Sequence, residues 1–311
     1  MLTQIFILAA SLFLVVKGAT LSTKYAERLA SNFNLSKYAT GFIIVAIISI
    51  LPETFIALNA AFDGTPEFGL GTLFGSNVAD LTLVFAAIIL ITGRGLKIES
   101  RVLKNRLIYP LLLLLPLILG LDGAFTRFEG AALMTAGIAF YYSALKNGVV
   151  NTTTRKIKNH QIKNIASLIF SLAILLVGAH FTVQSASALA TIVGVSPILI
   201  GLVIVGLGTT MPELFFSIKS IRDRLDSLAV GDILGTVLAD ATIVVGLLGL
   251  IHPFSFPIQM IYLTGLFMVG AAALLFYFMY SGHTLSRSEA RFLLIFWLVF
   301  VIIEFLASYR F

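Results

Sequence analysis

The stretch GTTMPELF, residues 208–215, places a proline and a glutamate side by side within an apolar run. An earlier stretch, SILPETF at residues 49–55, carries the same Pro-Glu pair. Proline removes a backbone hydrogen-bond donor and disrupts a helix interior, and a carboxylate in hydrocarbon is costly and usually functional. Two such pairs therefore indicate membrane helices that are interrupted in order to build a site.

The composition is that of an integral membrane protein. Of 311 residues, 59% are hydrophobic and only 12% are charged, about half the charged share of an average soluble domain. There are no cysteines, which excludes disulfides, thiol catalysis and zinc–thiolate sites. No phosphate-binding loop, nucleophile elbow or metalloprotease motif is visible, so we predict neither enzyme activity nor a cofactor.

Ten apolar runs predict an all-α protein with ten transmembrane helices, since about 30 Å of hydrocarbon must be crossed. Gly, Pro and carboxylates interrupt the second, third, seventh and eighth runs, so broken helices are expected there. The runs cover residues 3–22, 38–61, 68–92, 107–120, 126–145, 165–190, 195–218, 227–250, 257–280 and 290–308.

Basic residues predict the orientation. If the N-terminus is outside, Arg127 and Arg310 are the only two of the 21 Lys and Arg residues that do not lie on or beside cytoplasmic loops. This asymmetry follows the positive-inside rule, so we predict a multi-pass plasma-membrane protein of a prokaryote with both termini extracellular. The net charge of +6 then faces anionic lipid, and no nucleic-acid partner is expected.

A shift of 160 residues aligns the two halves without a gap. Between residues 35–91 and 195–251, sixteen positions are identical, including both Pro-Glu pairs. Five spans per half is an odd number, so the second half enters the membrane from the opposite side, as in many secondary transporters. We predict a first five-helix repeat at 1–145, a cytoplasmic linker at 146–164 and a second repeat at 165–311.

Four carboxylates are expected to meet near the middle of the membrane. At 1.5 Å per helical residue, Glu53 and Asp80 both lie roughly 15–20 Å from the turn between them, which is about half the bilayer. The same holds for Glu213 and Asp240. No Lys or Arg lies inside these helices, so cations or protons must balance the charge. Oxygen ligands favour Ca²⁺, Na⁺ or Mg²⁺ over zinc or copper.

Further oxygen atoms lie close to these carboxylates in the sequence. Pro52 and Pro212 leave the carbonyls four residues earlier without a helical partner, and carbonyls at membrane depth can bind cations where they line a cavity. Four-residue spacing also puts polar side chains on one helix face with each aspartate. These sets are Thr72, Ser76 and Asp80, and Asp232, Thr236 and Asp240.

The motifs resemble the two alpha-repeats of the sodium/calcium exchanger branch of the Ca²⁺:cation antiporters. That family's pattern is Gly-Thr-Ser-x-Pro-Glu, then Gly-Asn-x-x-Gly-Ser-Asn and, after two further residues, Asn or Asp. The first repeat here reads IISILPE and GTLFGSNVAD, and the second reads GTTMPE and GDILGTVLAD. The motifs lie at about residues 41–86 and 201–246. The resemblance spans essentially the whole chain and implies export of Ca²⁺ in exchange for Na⁺ by alternating access.

The resemblance also implies roles for individual residues. Glu53 and Glu213 would be the central ligands, shared between Ca²⁺ and the exchanged ions, while the first and sixth spans slide against the bundle. The other implied contributors are the hydroxyls of Ser49 and Thr209, the backbone carbonyls of Ala46 and Gly206, Ser76, Thr236 and Thr210 at monovalent-ion sites, Asp80 and Asp240 in the middle, and Asp232, Thr72 and Asn77 around them.

Departures from the family pattern leave the coupling ion open. Ile50 replaces a hydroxyl residue and removes a ligand from one monovalent-ion site, Val237 replaces an Asn, and Thr72 and Asp232 stand where the family has Asn. Asp80 adds a charge that a proton or K⁺ could satisfy. The closest alternative is therefore an H⁺- or K⁺-coupled antiporter of Ca²⁺ or Mg²⁺, and a cation channel is the alternative from another class. Asp232 fits equally a carboxylate at the mouth of the pathway and a hydrogen-bond partner of a broken helix end. The chain is expected to work as a monomer or as an oligomer of unknown size.

Overall fold

The structure is a computed structural model that describes residues 1–30, 36–103, 107–148, 161–194, 200–201 and 205–308. Nearly all of these residues are helical, which confirms the all-α prediction. The centre of the predicted linker and much of the first half of the seventh predicted span lie outside the described residues. The helices are α1 (Leu2–Ala30), α2 (Lys37–Ala39), α3 (Ala46–Ser49), α4 (Leu51–Phe62), α5 (Pro66–Ala79), α6 (Phe85–Thr92), α7 (Ser100–Leu103), α8 (Ile108–Leu119), α9 (Arg127–Gly148), α10 (Gln161–Val193), α11 (Gly206–Thr209), α12 (Met211–Arg222), α13 (Asp226–Ala239), α14 (Val245–Ile251), α15 (Ile258–Gly282) and α16 (Arg287–Ser308).

Six helices within the described ranges are long and apolar enough to cross a membrane. Their bounds lie within a few residues of predicted spans, because turn residues end the apolar runs on both sides. The six are Lys37–Phe62, Pro66–Thr92, Ile169–Val193, Asp226–Ile251, Ile261–Gly282 and Arg287–Ala307, and two shorter apolar helices are Leu2–Gly18 and Ile108–Leu119. α1 and α10 extend beyond the predicted spans 3–22 and 165–190, since a helix can continue into water through its polar residues.

The helix interruptions are milder than the broken helices expected. Lys37–Phe62 contains a π-helical segment, Thr40–Val45, and a single residue, Ile50, between α3 and α4. Pro52 lies in the first turn of α4, where its missing N–H group leaves no internal hydrogen bond unmade. Pro212 is likewise the second residue of α12.

The 160-residue offset recurs in the secondary structure. α4 and α12 have twelve residues each and α5 and α13 have fourteen, at equivalent positions. π-helical segments Asp80–Val84 and Asp240–Val244 follow α5 and α13. The sequence repeat is thus also a repeat of backbone conformation.

Two short antiparallel strand pairs join the two halves of the chain. β1 (Leu96–Lys97) pairs with β4 (Thr284–Leu285), and β2 (Ala124–Phe125) pairs with β3 (Phe254–Ser255). Each pair takes one strand from each half, and β2 and β4 are separated by the repeat offset of 160 residues. A loop of one half is therefore fastened to a loop of the other at two places.

Glycines allow the helices to approach closely. α1 crosses α10 at Gly18 and Gly178, where an added Cβ would lie 2.8 Å from the backbone nitrogen of Leu175 or Val15. Both the glycines and their contacts are related by the repeat offset. A hydrogen bond of 3.0 Å from Thr182 to the Ser11 hydroxyl completes the crossing. α1 and α10 thus form a symmetric pair, as small residues permit in membrane helices.

Candidate ion-binding site

The three aspartates of the site, Asp80, Asp232 and Asp240, lie on the two most deeply buried spans. Pro66–Thr92 and Asp226–Ile251 are 78% and 83% buried, whereas the other four apolar helices range from 22% to 59%. Helices that are apolar and buried on all sides belong to the centre of a membrane bundle. Polar side chains on these two spans therefore face protein and not lipid.

Glu53 and Glu213 lie in the first turns of α4 and α12, directly after the interruptions. Both side chains are buried, with 1% and 0% exposure. The N-terminus of a helix carries a partial positive charge that favours a carboxylate. The Pro-Glu pair therefore starts a new helix and places the acid at its favourable end.

Asp80 and Asp240 each begin a π-helical segment, and both are fully buried. π-helical turns occur often at functional sites because they redirect side chains within a helix. Asp232 is also fully buried and lies two turns before Asp240 on α13.

Five acids form a carboxylate cluster, defined as Glu53, Asp80, Glu213, Asp232 and Asp240. The charge of Glu213 is within electrostatic range of Glu53, Asp80 and Asp232, and Asp240 is within range of Glu53 and Asp80. Among the residues whose burial the structure describes, none of the buried ones is a Lys or Arg. In the same ranges, no three acidic or histidine side chains converge closely enough to hold a metal ion.

Several oxygens of the carboxylate cluster lack hydrogen-bond partners within the described part of the chain. They are Glu53 Oε2, Asp80 Oδ1, both carboxylate oxygens of Glu213 and both of Asp240. A buried acceptor without a partner costs free energy, and an unpaired buried charge costs more. These oxygens are therefore available to a cation, and three or more of the acids would have to move closer together to hold one ion jointly.

Hydroxyl groups contact the carboxylate cluster from the opposite repeat. Ser49, the last residue of α3, donates to Asp232 Oδ1 at 3.2 Å. Thr209 lies beside Glu53, and its hydroxyl also donates to the Gly206 carbonyl at 3.0 Å. Asp232 thus contacts the end of the helix that precedes the first interruption.

Thr210 and Thr236 carry buried hydroxyls without a well-formed hydrogen bond in the described residues. Thr210 nevertheless lies next to Asp80, so its hydroxyl is near a carboxylate. Ile50, the equivalent of Thr210 in the first repeat, is 6% exposed.

Other predicted site residues are buried but bond to their own helix or to nearby apolar groups. Ser76 donates to the Leu73 carbonyl at 3.1 Å, Thr72 to the Phe68 carbonyl at 3.0 Å, and Asn77 to the Met268 sulfur at 3.5 Å. The Ala46 and Gly206 carbonyls accept helical N–H groups from Ile50 and Thr210, at 3.0 and 3.1 Å. A carbonyl has a second lone pair, so the Ala46 carbonyl retains an acceptor position, whereas the second lone pair of the Gly206 carbonyl accepts the Thr209 hydroxyl.

Two tyrosines that the sequence analysis did not single out hold the backbone of the site. Tyr109 on α8 donates to the Leu234 carbonyl at 2.6 Å, and Tyr141 on α9 donates to the Gly235 carbonyl at 2.5 Å. Both hydrogen bonds are accepted by backbone carbonyls of α13, at the two residues directly before Thr236. A tyrosine in an apolar span needs a hydrogen-bond partner for its hydroxyl. The position of these two tyrosines within apolar runs is therefore the sequence signal that could have identified them.

Comparison with known proteins places this arrangement in a family. The family model described as sodium/calcium exchanger protein matches residues 3–146 and 163–306. The membrane protein MJ0091 of Methanocaldococcus jannaschii is 29% identical over 236 residues, which cover 74% of this chain and 76% of the relative. The sodium/calcium exchanger MaX1 of Methanosarcina acetivorans is 25% identical over an alignment of 349 positions, which covers 96% of this chain and 97% of MaX1.

The fold is also that of a solved exchanger. A structure of the sodium-calcium exchanger NCX_Mj superposes with a TM-score of 0.72 at 24% identity, covering 95% of this chain and 96% of that one. The predicted resemblance is confirmed. Since the family model matches residues 3–146 and 163–306, which are most of the chain, this protein belongs to the sodium/calcium exchanger family of membrane transporters.

Proposed function

We propose that the protein is a secondary active transporter that exchanges Ca²⁺ for Na⁺ and exports Ca²⁺ across the plasma membrane of a prokaryotic cell. The carboxylate cluster carries this proposal, because five buried acids from both repeats have no buried Lys or Arg beside them in the described residues. Hard cations with oxygen ligands are the natural compensation. The NCX_Mj sample was soaked with Na⁺ and Sr²⁺, a monovalent and a divalent ion of the proposed kinds.

In this proposal, Glu53 and Glu213 bind Ca²⁺ directly, and Asp80 and Asp240 complete the middle of the site. Ser49 and Thr209, with the Ala46 and Gly206 carbonyls, supply further oxygens to the central ion. Thr210, Ser76 and Thr236 serve flanking monovalent ions, with Asp232, Thr72 and Asn77 around them.

Exchange follows from competition for one set of charges. Ca²⁺ and several monovalent ions cannot occupy the same carboxylates together, because like charges repel strongly at close range in a poorly screened interior. A cluster left without cations keeps uncompensated buried charge, which is costly. Movement between the two sides is therefore favoured only with ions bound, and membership in an exchanger family favours this over a channel.

We further propose ten spans arranged as two inverted repeats, 1–145 and 165–311, joined by the linker 146–164, with both termini extracellular. Each strand pair supports this arrangement, because it joins loops that the ten-span topology puts on the same side of the membrane. β1 and β4 would be cytoplasmic, and β2 and β3 extracellular. The α1–α10 pair, which crosses at repeat-related glycines, is the element proposed to slide.

The experiment is uptake of radioactive Ca²⁺ into proteoliposomes with an outward gradient of Na⁺, H⁺ or K⁺ imposed in turn. Glu213→Gln removes one charge from the carboxylate cluster. Glu304→Gln is the matched control, because Glu304 is a fully buried carboxylate on α16 that bonds Thr264 at 2.5 Å and lies outside the cluster.

We expect uptake driven by Na⁺, abolished in Glu213→Gln and retained in Glu304→Gln. Uptake driven only by H⁺ or K⁺ would show that the protein is an antiporter coupled to that ion instead of Na⁺. Ca²⁺ entry without any exchange partner would contradict exchange, and full activity of Glu213→Gln would contradict the site.

A further inference from the structure

A polar cavity lies outside the carboxylate cluster, between the loop that follows α6 and the turn that precedes α13. Its volume is about 340 Å³. The loop belongs to the first repeat and the turn to the second. Three basic residues, two acidic residues and one serine supply its polar lining: Arg94, Lys97, Arg224, Glu99, Asp226 and Ser227.

The two acids of this cavity already have partners. Asp226 accepts hydrogen bonds from Arg94 at 2.5 and 2.8 Å and from the Lys97 backbone at 3.1 Å. Glu99 accepts the hydroxyl of Ser227. The hydrogen bond with Asp226 raises the pKa of Arg94 above its usual value. Asp226 is therefore paired with Arg94, whereas Glu99 has a neutral hydroxyl as its hydrogen-bond partner.

Lys97 and Arg224 are the two remaining basic residues of the cavity, and the charge of Arg224 is within electrostatic range of Asp226. Both side chains are exposed, and neither forms a salt bridge within the described part of the chain. The cavity thus presents an ammonium and a guanidinium from opposite repeats. Such a pair attracts an anion.

The backbone at Arg224 is an independent indication that its side chain has a use. Arg224 has φ = +62°, in the left-handed region that disfavours residues with a Cβ. Its equivalent in the first repeat is Gly64, with φ = +79°. Glycine adopts this conformation without steric cost, yet the second repeat has an arginine there. Strain of this kind is typically retained at functional positions.

We propose that this cavity binds a phosphate group, held between Lys97 and Arg224. Guanidinium and ammonium groups are the usual protein partners of phosphate. The phosphate can belong to the headgroup of an anionic phospholipid or to a free phosphate ion. In either case, it bridges a loop of the first repeat to a turn of the second. Binding stabilises the folded protein, as any ligand selective for the native state does.

The test measures the melting temperature of the purified full chain in phosphatidylcholine nanodiscs. One arm adds inorganic phosphate, and the other replaces part of the lipid with phosphatidylglycerol. We expect either or both to raise the melting temperature of the wild type by a few degrees. In Arg224→Gly, this rise is lost, although the variant without ligand melts no lower than the wild type because glycine relieves the left-handed strain.

Arg222→Gln is the control, since Arg222 is an exposed arginine at the end of α12, two residues before Arg224, and does not line the cavity. It should keep the full rise, whereas Lys97→Gln should reduce it. A rise with phosphatidylglycerol alone identifies a lipid headgroup, and a rise with both additions identifies the phosphate group itself. No rise in the wild type with either addition, or an equal rise in Arg224→Gly, would overturn the proposal.

Discussion

The two repeats share a backbone but differ in the side chains that they bring to the site. Thr210 lies beside Asp80, whereas Ile50, its equivalent, offers no oxygen. Val237 likewise replaces the amide of Asn77. The helices are therefore related by the repeat, but the side chains that they bring to the site are not. The second repeat supplies the hydroxyl of Thr210, and the first supplies the amide of Asn77.

Around the carboxylate cluster, hydroxyl groups of each repeat contact carboxylates of the other repeat. Ser49 of the first repeat bonds Asp232 of the second. In the other direction, Thr209 of the second repeat lies beside Glu53 of the first, as Thr210 does beside Asp80. These three pairs of hydroxyl and carboxylate all cross between repeats, which indicates one shared site and not one site in each half.

The largest expected effect concerns the two glutamates. Despite their unlike surroundings, Glu53→Gln and Glu213→Gln should each reduce Ca²⁺ uptake at least about a hundredfold, since losing one partner of a buried charge interaction costs about 3 kcal/mol or more. Initial rates of uptake into proteoliposomes measure this, with Glu304→Gln as the control. A variant that keeps half of the wild-type rate would show that its glutamate is dispensable for transport.

A smaller effect is expected from exchanging the unlike residues at the interruptions. Ile50→Ser restores an oxygen and should lower the Na⁺ concentration for half-maximal exchange about five- to tenfold, the equivalent of one hydrogen bond of about 1 kcal/mol. Thr210→Ile should raise it by a similar factor. The Na⁺ dependence of Ca²⁺ uptake measures both. If the Na⁺ dependence of Ca²⁺ uptake is unchanged in Ile50→Ser, the lack of an oxygen at position 50 does not weaken Na⁺ binding.

The smallest effect concerns stability. Tyr109 and Tyr141 bond the backbone of α13, but valines occupy the equivalent positions 269 and 301 in the second repeat. Tyr141→Phe should therefore lower the free energy of unfolding by about 1 kcal/mol and the melting temperature by about 2–4 °C. Tyr142→Phe, at a neighbouring position that is 68% exposed, should change neither. Equal melting temperatures for the two variants would show that the hydrogen bond of Tyr141 does not stabilise the protein.

The repeat and the approximate span bounds could be predicted because they depend on local patterns. The span predicted at 68–92 is observed at Pro66–Thr92, since a turn rich in Gly and Pro precedes the apolar run. The paired Pro-Glu and Asp positions likewise stand at one constant offset in the sequence. These features do not depend on how the helices cross.

The contacts between repeats could not be predicted. The bond from Ser49 to Asp232 joins residues 183 positions apart, and it depends on the angle and depth at which two helices pack. The π-helical segments at Asp80 and Asp240 have no distinctive sequence, because their dihedral angles differ little from those of an α-helix. Packing therefore decides which oxygens face one another.

The most direct test of a shared site is equilibrium binding of radioactive Ca²⁺ to the purified protein, with and without Na⁺. If both repeats contribute to one site, the wild type has a Ca²⁺ site that Na⁺ displaces, and either Glu53→Gln or Glu213→Gln alone abolishes it. If each variant instead loses only part of the bound Ca²⁺ and keeps the rest at wild-type affinity, each repeat binds its own ion, and the account of a single site between the repeats is contradicted.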